Sequence, residues 1–157
     1  AGCEAVFLAS RGVHVIGVDS SPVALELARE RADDAGVTVD WREGDAARLP
    51  VDDDSVDLAL ERGCFHVIPR RRRARFASEV ARVLRPGGRL LMRSAREDDE
   101  EAGVIGFDRV ELERLFEPHG FQCGPLEPVR LESRAGGWDG WKVVLTVPPG
   151  APRRRII

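Results

Sequence analysis

A chain of 157 residues, 43% hydrophobic and 32% charged, has the length and balance of one soluble globular domain. Its formal net charge of −3 gives no general pull toward nucleic acid or anionic membranes. No apolar run approaches the roughly 20 residues that a membrane span needs, and the widely spaced Cys3, Cys64 and Cys123 lack metal-ligand spacing, so a reducing cytoplasm and no metal site are expected.

Apolar residues at helical spacing run from Cys3 to Ser10, and Arg11-Gly12 ends the pattern. Val13 to Val18 reads as a strand. Ser20 or Ser21 can cap the next helix, with Pro22 in its first turn. That helix runs to about Asp34 with Val23, Ala24, Leu27 and Ala28 on one face, and Gly36 stops it. Val37 to Trp41 alternates as a strand, and Gly44-Asp45-Ala46 turns away from it. Val56 to Leu60 is nearly continuous in apolar residues, the pattern of a central strand buried on both faces.

Glu61 to Pro69 reads as a loop, followed by a helix over about Arg71 to Leu84 with Phe76, Val80, Val83 and Leu84 inward. Pro86-Gly87-Gly88 is a turn and Arg89 to Ser94 a strand. Arg96 to Gly106 is acidic, contains glycine and reads as mobile; Asp108 to Pro118 is a further helix. Two last strands, near Phe121–Leu131 and Trp141–Val147, flank a turn region at Gly136 to Gly140. Residues 149–157 form a tail with Arg153 to Arg155. The alternation predicts an α/β fold over residues 1–148: a Rossmann-like, open, mostly parallel sheet with helices on both faces and an antiparallel hairpin at one edge.

Asp19 closes a β-branched run and is followed at once by a helix start. A carboxylate there offers two acceptor oxygens to the two adjacent hydroxyls of a ribose. Capping the following helix is the plainer use of the same residue, and one side chain can do both. His66 titrates near neutral pH and can bind or deprotonate a substrate, or it can simply pack on Phe65. Cys64 has no evident base partner and reads as a small packing residue. Arg70 to Arg73 reads as the solvated start of a helix, because no aromatic residues interleave it as in a nucleic-acid patch. Trp138 and Trp141 read as packing residues.

At Gly2, Asp19, Asp45, Glu61 and Leu84-Arg85-Pro86-Gly87-Gly88 the chain resembles class I S-adenosylmethionine-dependent methyltransferases, over roughly Ala1 to Pro148. Glu61-Arg62-Gly63-Cys64-Phe65-His66-Val67-Ile68-Pro69 resembles the Asp-Arg-Gly-x-Phe-His-x-x-Pro segment of the branch that holds thiopurine S-methyltransferases and tellurite-resistance methyltransferases. The resemblance implies S-adenosylmethionine as cofactor and methyl transfer to a small-molecule acceptor, with S-, Se- or Te-type nucleophiles favoured. It implies neither a nucleic-acid nor a membrane partner.

By the same resemblance Gly2 lets the backbone approach the cofactor, and Asp19 with Ser20 takes the ribose. Asp45 accepts from the adenine amine beside the backbone of Ala46. Glu61, where the family usually has Asp, stands near the sulfonium, and His66 is the catalytic candidate. The family opens with an apolar strand and a Gly-x-Gly-x-Gly loop, of which Ala1 to Ala5 matches only the end. The domain is therefore expected to be N-terminally incomplete and to lack the first central strand, between Val13–Val18 and Val56–Leu60. An inactive fragment or scaffold that binds no cofactor is the alternative this raises. A nicotinamide-dependent reductase ranks lower: the chain has no Tyr, and its one lysine, Lys142, lies near the end.

Overall fold

The structure, a computed structural model, describes residues 1–133 and 136–150, so the tail arginines lie outside the described residues. It resolves into two compact units, Ala1–Pro50 and a second that begins at Val51. Each has its own sheet.

The first unit runs α1 (Cys3–Ala9), β1 (Ile16–Asp19), α2 (Pro22–Asp34) and β2 (Asp40–Glu43). β1 and β2 pair in parallel from Ile16 opposite Asp40 to Asp19 opposite Glu43, a βαβ unit with α2 as the crossover. Ser21 is the cap of α2: its hydroxyl accepts from the Ala24 amide at 3.3 Å, and Pro22 follows at the first position. Two glycines close this unit. A Cβ on Gly17 would stand 2.2 Å from the Trp41 ring, and one on Gly2 would stand 2.8 Å from Ala28 Cβ. Gly2 also holds φ at 75°, where a side chain is strained.

Both strands begin later than their apolar runs. Val13 to Val15 precede β1 and Val37 to Val39 precede β2, and the Asp40 amide bonds the Val15 carbonyl at 3.0 Å just ahead of the ladder. The buried stripe of α2 is Leu25, Ala28 and Ala32, while Val23 and Leu27 are 65% and 53% exposed. The helix carries two overlapping apolar stripes, and the one through Ala28 is the one that meets Gly2.

The second unit contains β3 (Val56–Arg62), α3 (Arg70–Val83), β4 (Leu84–Ala95), α4 (Arg109–Phe116), β5 (Gln122–Cys123), β6 (Glu127–Ser133) and β7 (Gly136–Thr146). Strand order is β3-β4-β7-β5, with β6 also on β7. The β3–β4 pair is parallel and every pair with β7 is antiparallel, so the sheet is mixed rather than mostly parallel. β6 and β7 form the expected C-terminal antiparallel hairpin, in which β4 covers one side of β7 and β5 and β6 share the other. Gly136 to Gly140 belong to β7, not to a turn region. Gly140 is needed where the sheet is closest, since a Cβ there would lie 2.7 Å from the Ser94 carbonyl oxygen.

The Pro86-Gly87-Gly88 turn is an excursion inside β4, whose register on β3 jumps from Val56 opposite Leu84 to Leu58 opposite Arg89. Gly87 takes φ 85°, and its amide donates to Val147 at 2.8 Å. β3 is not buried on both faces as its sequence suggests: Leu58 and Leu60 are 46% and 41% exposed, and among the described residues β4 is its only partner. The core centres on aromatic pairs: Phe65 with Phe76 and Phe107, and Phe116 with Phe76 and Phe121, at centroid distances of 5.3–6.4 Å.

Candidate functional site

In the first unit the candidate residues lie where β1 and β2 end. Asp19 is the last residue of β1 and is exposed. Its Oδ1 accepts from the Ser21 amide at 2.9 Å, which turns the chain into α2. Among the described residues its second oxygen has no hydrogen-bond partner. Ser20 is exposed beside it. Asp45, two residues beyond β2, is half-buried, and its Oδ1 accepts from the Ala47 amide at 2.9 Å. Ala46 is half-buried within that turn. Both carboxylates thus have the turn-forming role that each motif allows, and Asp19 keeps an oxygen exposed beyond it. Gly2 sits at the start of the seven-residue α1, with Ala28 and Trp41 where its side chain would be.

In the second unit the candidates gather where the parallel strands β3 and β4 end. Glu61 is 6% exposed. Its Oε1 accepts from the amides of Cys64 at 2.7 Å and Phe65 at 2.8 Å, and the Ser94 hydroxyl reaches both oxygens at 3.0 Å. The carboxylate is therefore enclosed by the 3-10 turn Phe65–Val67, whose first amides it binds. Cys64 contributes its amide to this contact.

Burial raises the Glu61 carboxyl above the ordinary glutamate range, against the pull of the amides and of Ser94. The folded state then holds this proton more tightly than the unfolded one, so stability falls as pH rises through that window. Glutamine carries no charge and keeps the acceptor. Glu61→Gln is expected to match the wild type in acid and to melt progressively higher than it toward neutral pH, as thermal melts across a pH series read.

His66 is 8% exposed. Its Nδ1 accepts from the Ala95 amide at 3.2 Å, and its carbonyl accepts from Ile105 at 2.7 Å. Burial first, and the charge of Arg73 second, hold its pKa below the usual histidine value, so the ring is neutral near pH 7. Trp138 lies with its ring centroid 6.0 Å away, packed beside Ala95, Val104 and Leu131. The 96–106 segment is tied at several points. Val104 is buried, Asp99 and Val104 exchange backbone bonds at 2.8 Å, and Asp98 Oδ1 takes the Gly106 amide at 2.8 Å.

Arg73 is the residue that sequence reasoning missed. It is fully buried rather than part of a solvated helix start. Its guanidinium donates to the carbonyls of Ile68, Gly106, Phe65 and Ile105 and to Glu111 Oε2 at 2.9 Å, and it lies 4.3 Å from the Phe65 ring centroid. It thus fastens the 64–69 loop, the 105–106 segment and α4 to one another. The signal was present: Arg73 stands three, four and seven residues before Phe76, Ala77 and Val80, on the buried stripe of α3. Its neighbour Arg70 is half-exposed and bonds Glu111 at 2.8 Å and Asp98 at 3.1 Å.

Among the described residues no group of three His, Cys, Asp or Glu side chains could hold a metal, and no helix is long and apolar enough to cross a membrane. The three cysteines are free thiols.

A family profile described as "Methyltransferase domain" matches residues 1–88. The chain is 30% identical over 136 residues to the mitochondrial 2-methoxy-6-polyprenyl-1,4-benzoquinol methylase of Danio rerio, which covers 81% of this chain and 35% of that protein. It is 38% identical over 91 residues to an arsenite methyltransferase of Halobacterium salinarum, covering 55% of this chain and 23% of that one. The chain thus spans about a quarter to a third of the length of these curated relatives. Its fold matches that of a SAM-dependent methyltransferase from Methanosarcina mazei with a TM-score of 0.80 at 22% identity, over 92% of this chain and 87% of the other.

Proposed function

The chain belongs to the methyltransferase domain family, and from that premise we propose that residues 1–148 serve as one S-adenosylmethionine-dependent methyltransferase domain acting on a small-molecule acceptor. The observation that carries the reading is Asp19: an exposed carboxylate at the carboxyl end of a parallel strand, with one oxygen in the helix turn and one outside it. That donor–acceptor chemistry fits a ribose diol, and the half-buried Asp45 with the Ala46 backbone fits an amino-bearing base. Held by Asp19, Asp45 and the Ala46 backbone, the cofactor would supply an electrophilic methyl on a sulfonium, open to direct displacement by the acceptor's lone pair with S-adenosylhomocysteine as leaving group. The protein's part is to bind and align the two reactants, which alone contributes up to about 7–11 kcal/mol in favourable cases.

We read the acceptor as a thiolate or another soft anion. The Arg62-Gly63-Cys64-Phe65-His66 resemblance to thiopurine and tellurite-resistance enzymes supports this, as does the arsenite methyltransferase among the relatives. Three free cysteines support a reducing, cytoplasmic setting. Among the described residues β3 pairs only with β4, and Leu58 and Leu60 are exposed, which supports a further parallel strand on its other edge, as the resemblance implies.

Incubation with methyl-labelled S-adenosylmethionine and a panel of thiols, arsenite, phenols and amines tests the reading. Label passing to a thiol or to arsenite, with S-adenosylhomocysteine formed in equal amount, is the expected result. Label passing only to amines or phenols would overturn the soft-acceptor assignment, and transfer to none would overturn the enzyme assignment.

A further inference from the structure

We propose that Glu61 is a positioning residue that fixes His66 as a hydrogen-bond donor at Nε2, so that His66 binds the methyl acceptor and does not deprotonate it. This rests on the methyltransferase reading for the identity of what docks at His66; the state of the ring itself does not.

A backbone amide can only donate. The Ala95 amide therefore faces the lone pair of an unprotonated Nδ1, and the single proton of the neutral ring sits on Nε2. A general base must present a lone pair to the proton that it takes. In His66 that lone pair is already committed to the end of β4. Nε2–H lies on the side of Gly63, where an added Cβ would come within 3.6 Å of it, and among the described residues it has no acceptor.

Four hydrogen bonds hold the ring's loop in this pose. Glu61 binds the amides of Cys64 and Phe65 immediately before His66, Ser94 binds Glu61 immediately before Ala95, and the His66 carbonyl takes the Ile105 amide. Glu61 thus ties the His66 loop to the strand residue next to the one that donates to the imidazole. Ligands of open α/β sheets bind at the carboxyl ends of parallel strands, which is where β3 and β4 place this cluster. An acceptor docking there must bring its own lone pair, as a thiolate or another anion does. An alcohol or an ammonium that first needs a base finds none in His66.

The test is nitrogen NMR of the imidazole in the intact 15N-labelled chain at neutral pH, with no cofactor added. The wild type is expected to show one neutral tautomer, protonated at Nε2, and Glu61→Gln, which keeps the acceptor for both amides, is expected to show the same. Glu61→Ala is expected to lose the fixed signature and give two nitrogens averaged between protonated and bare. A wild-type proton on Nδ1, or an unchanged signature in Glu61→Ala, would overturn the proposal. Should Glu61→Ala fail to fold, the wild type alone decides. The Cys64 and Phe65 amide signals must shift together as Glu61 is protonated, and amides that stay put would overturn it. Calorimetric titration of the same samples with S-adenosylhomocysteine reports on the methyltransferase reading, so the two can fail separately.

Discussion

Replacing Asp19 by asparagine is expected to weaken affinity for S-adenosylhomocysteine by about 100-fold, with little change in thermal stability. The two oxygens of the carboxylate have different surroundings. One accepts from Ser21 and shapes the entry to α2. An asparagine carbonyl can make the same bond, and the Ser21 hydroxyl still caps the helix through Ala24. The other oxygen becomes an NH2 group, which cannot accept from a ribose hydroxyl. Hydrogen bonds to a charged group contribute about 1.5–3 kcal/mol each, and 1.4 kcal/mol is a factor of ten in affinity. Losing the charge and one acceptor together therefore removes about two orders of magnitude. Calorimetric titration measures the change; an asparagine variant that binds as well as the wild type would mean that Asp19 is a helix-turn residue and nothing more.

Arg73→Met is expected to be the most damaging single change in the second unit, lowering stability by about 3–5 kcal/mol, the usual consequence of removing one partner from a buried ion pair. Methionine fills much of the volume but donates nothing. The carbonyls of Phe65, Ile68, Ile105 and Gly106 would lose a buried donor at once. Glu111 would keep only the half-exposed Arg70. In a unit of this size, at about 4 °C per kcal/mol, that loss corresponds to a fall in melting temperature of about 12–20 °C. Arg70→Met is the contrast. Its side chain is 52% exposed, and its loss is expected to cost about 1 kcal/mol or less. Equal melting temperatures for the two variants would contradict the role assigned to Arg73.

Much of this architecture was legible in the residues. The spacing of Phe76, Val80 and Val83 placed α3, Ser21-Pro22 placed the start of α2, and the Asp19 turn placed the end of β1, all within a few residues. What was not legible depended on partners distant in sequence. Val13 and Val37 are β-branched, yet they precede their strands, because the length of a ladder depends on what pairs with it rather than on propensity. Gly136 to Gly140 carry turn residues and still form part of a strand, since the close approach of Ser94 and Leu131 requires residues without a side chain at Gly140. Gly17 is explained in the same way by Trp41, its opposite number on β2.

The site shows the same division. The turns at Asp19 and Asp45 were legible because their signals are local: a strand end, a turn and a carboxylate. Glu61 was legible at the carboxyl end of β3 but not as buried, because Ser94, which helps to enclose it, lies 33 residues away in the chain. Arg73 lay hidden in a run of four arginines whose charge outweighed its position on the apolar stripe. The ring state of His66 was out of reach altogether, since it is decided by one amide at the far end of β4.

Binding of S-adenosylhomocysteine where β1 and β2 end is tested most directly by backbone NMR of the labelled chain during a titration with that ligand. Saturable shift changes are predicted at Gly2, at Ser20 and Ser21 beside Asp19, and at Ala46 and Ala47 beside Asp45. A dispersed spectrum that does not move at saturating ligand, or one whose changes leave all five of these amides untouched, would contradict it.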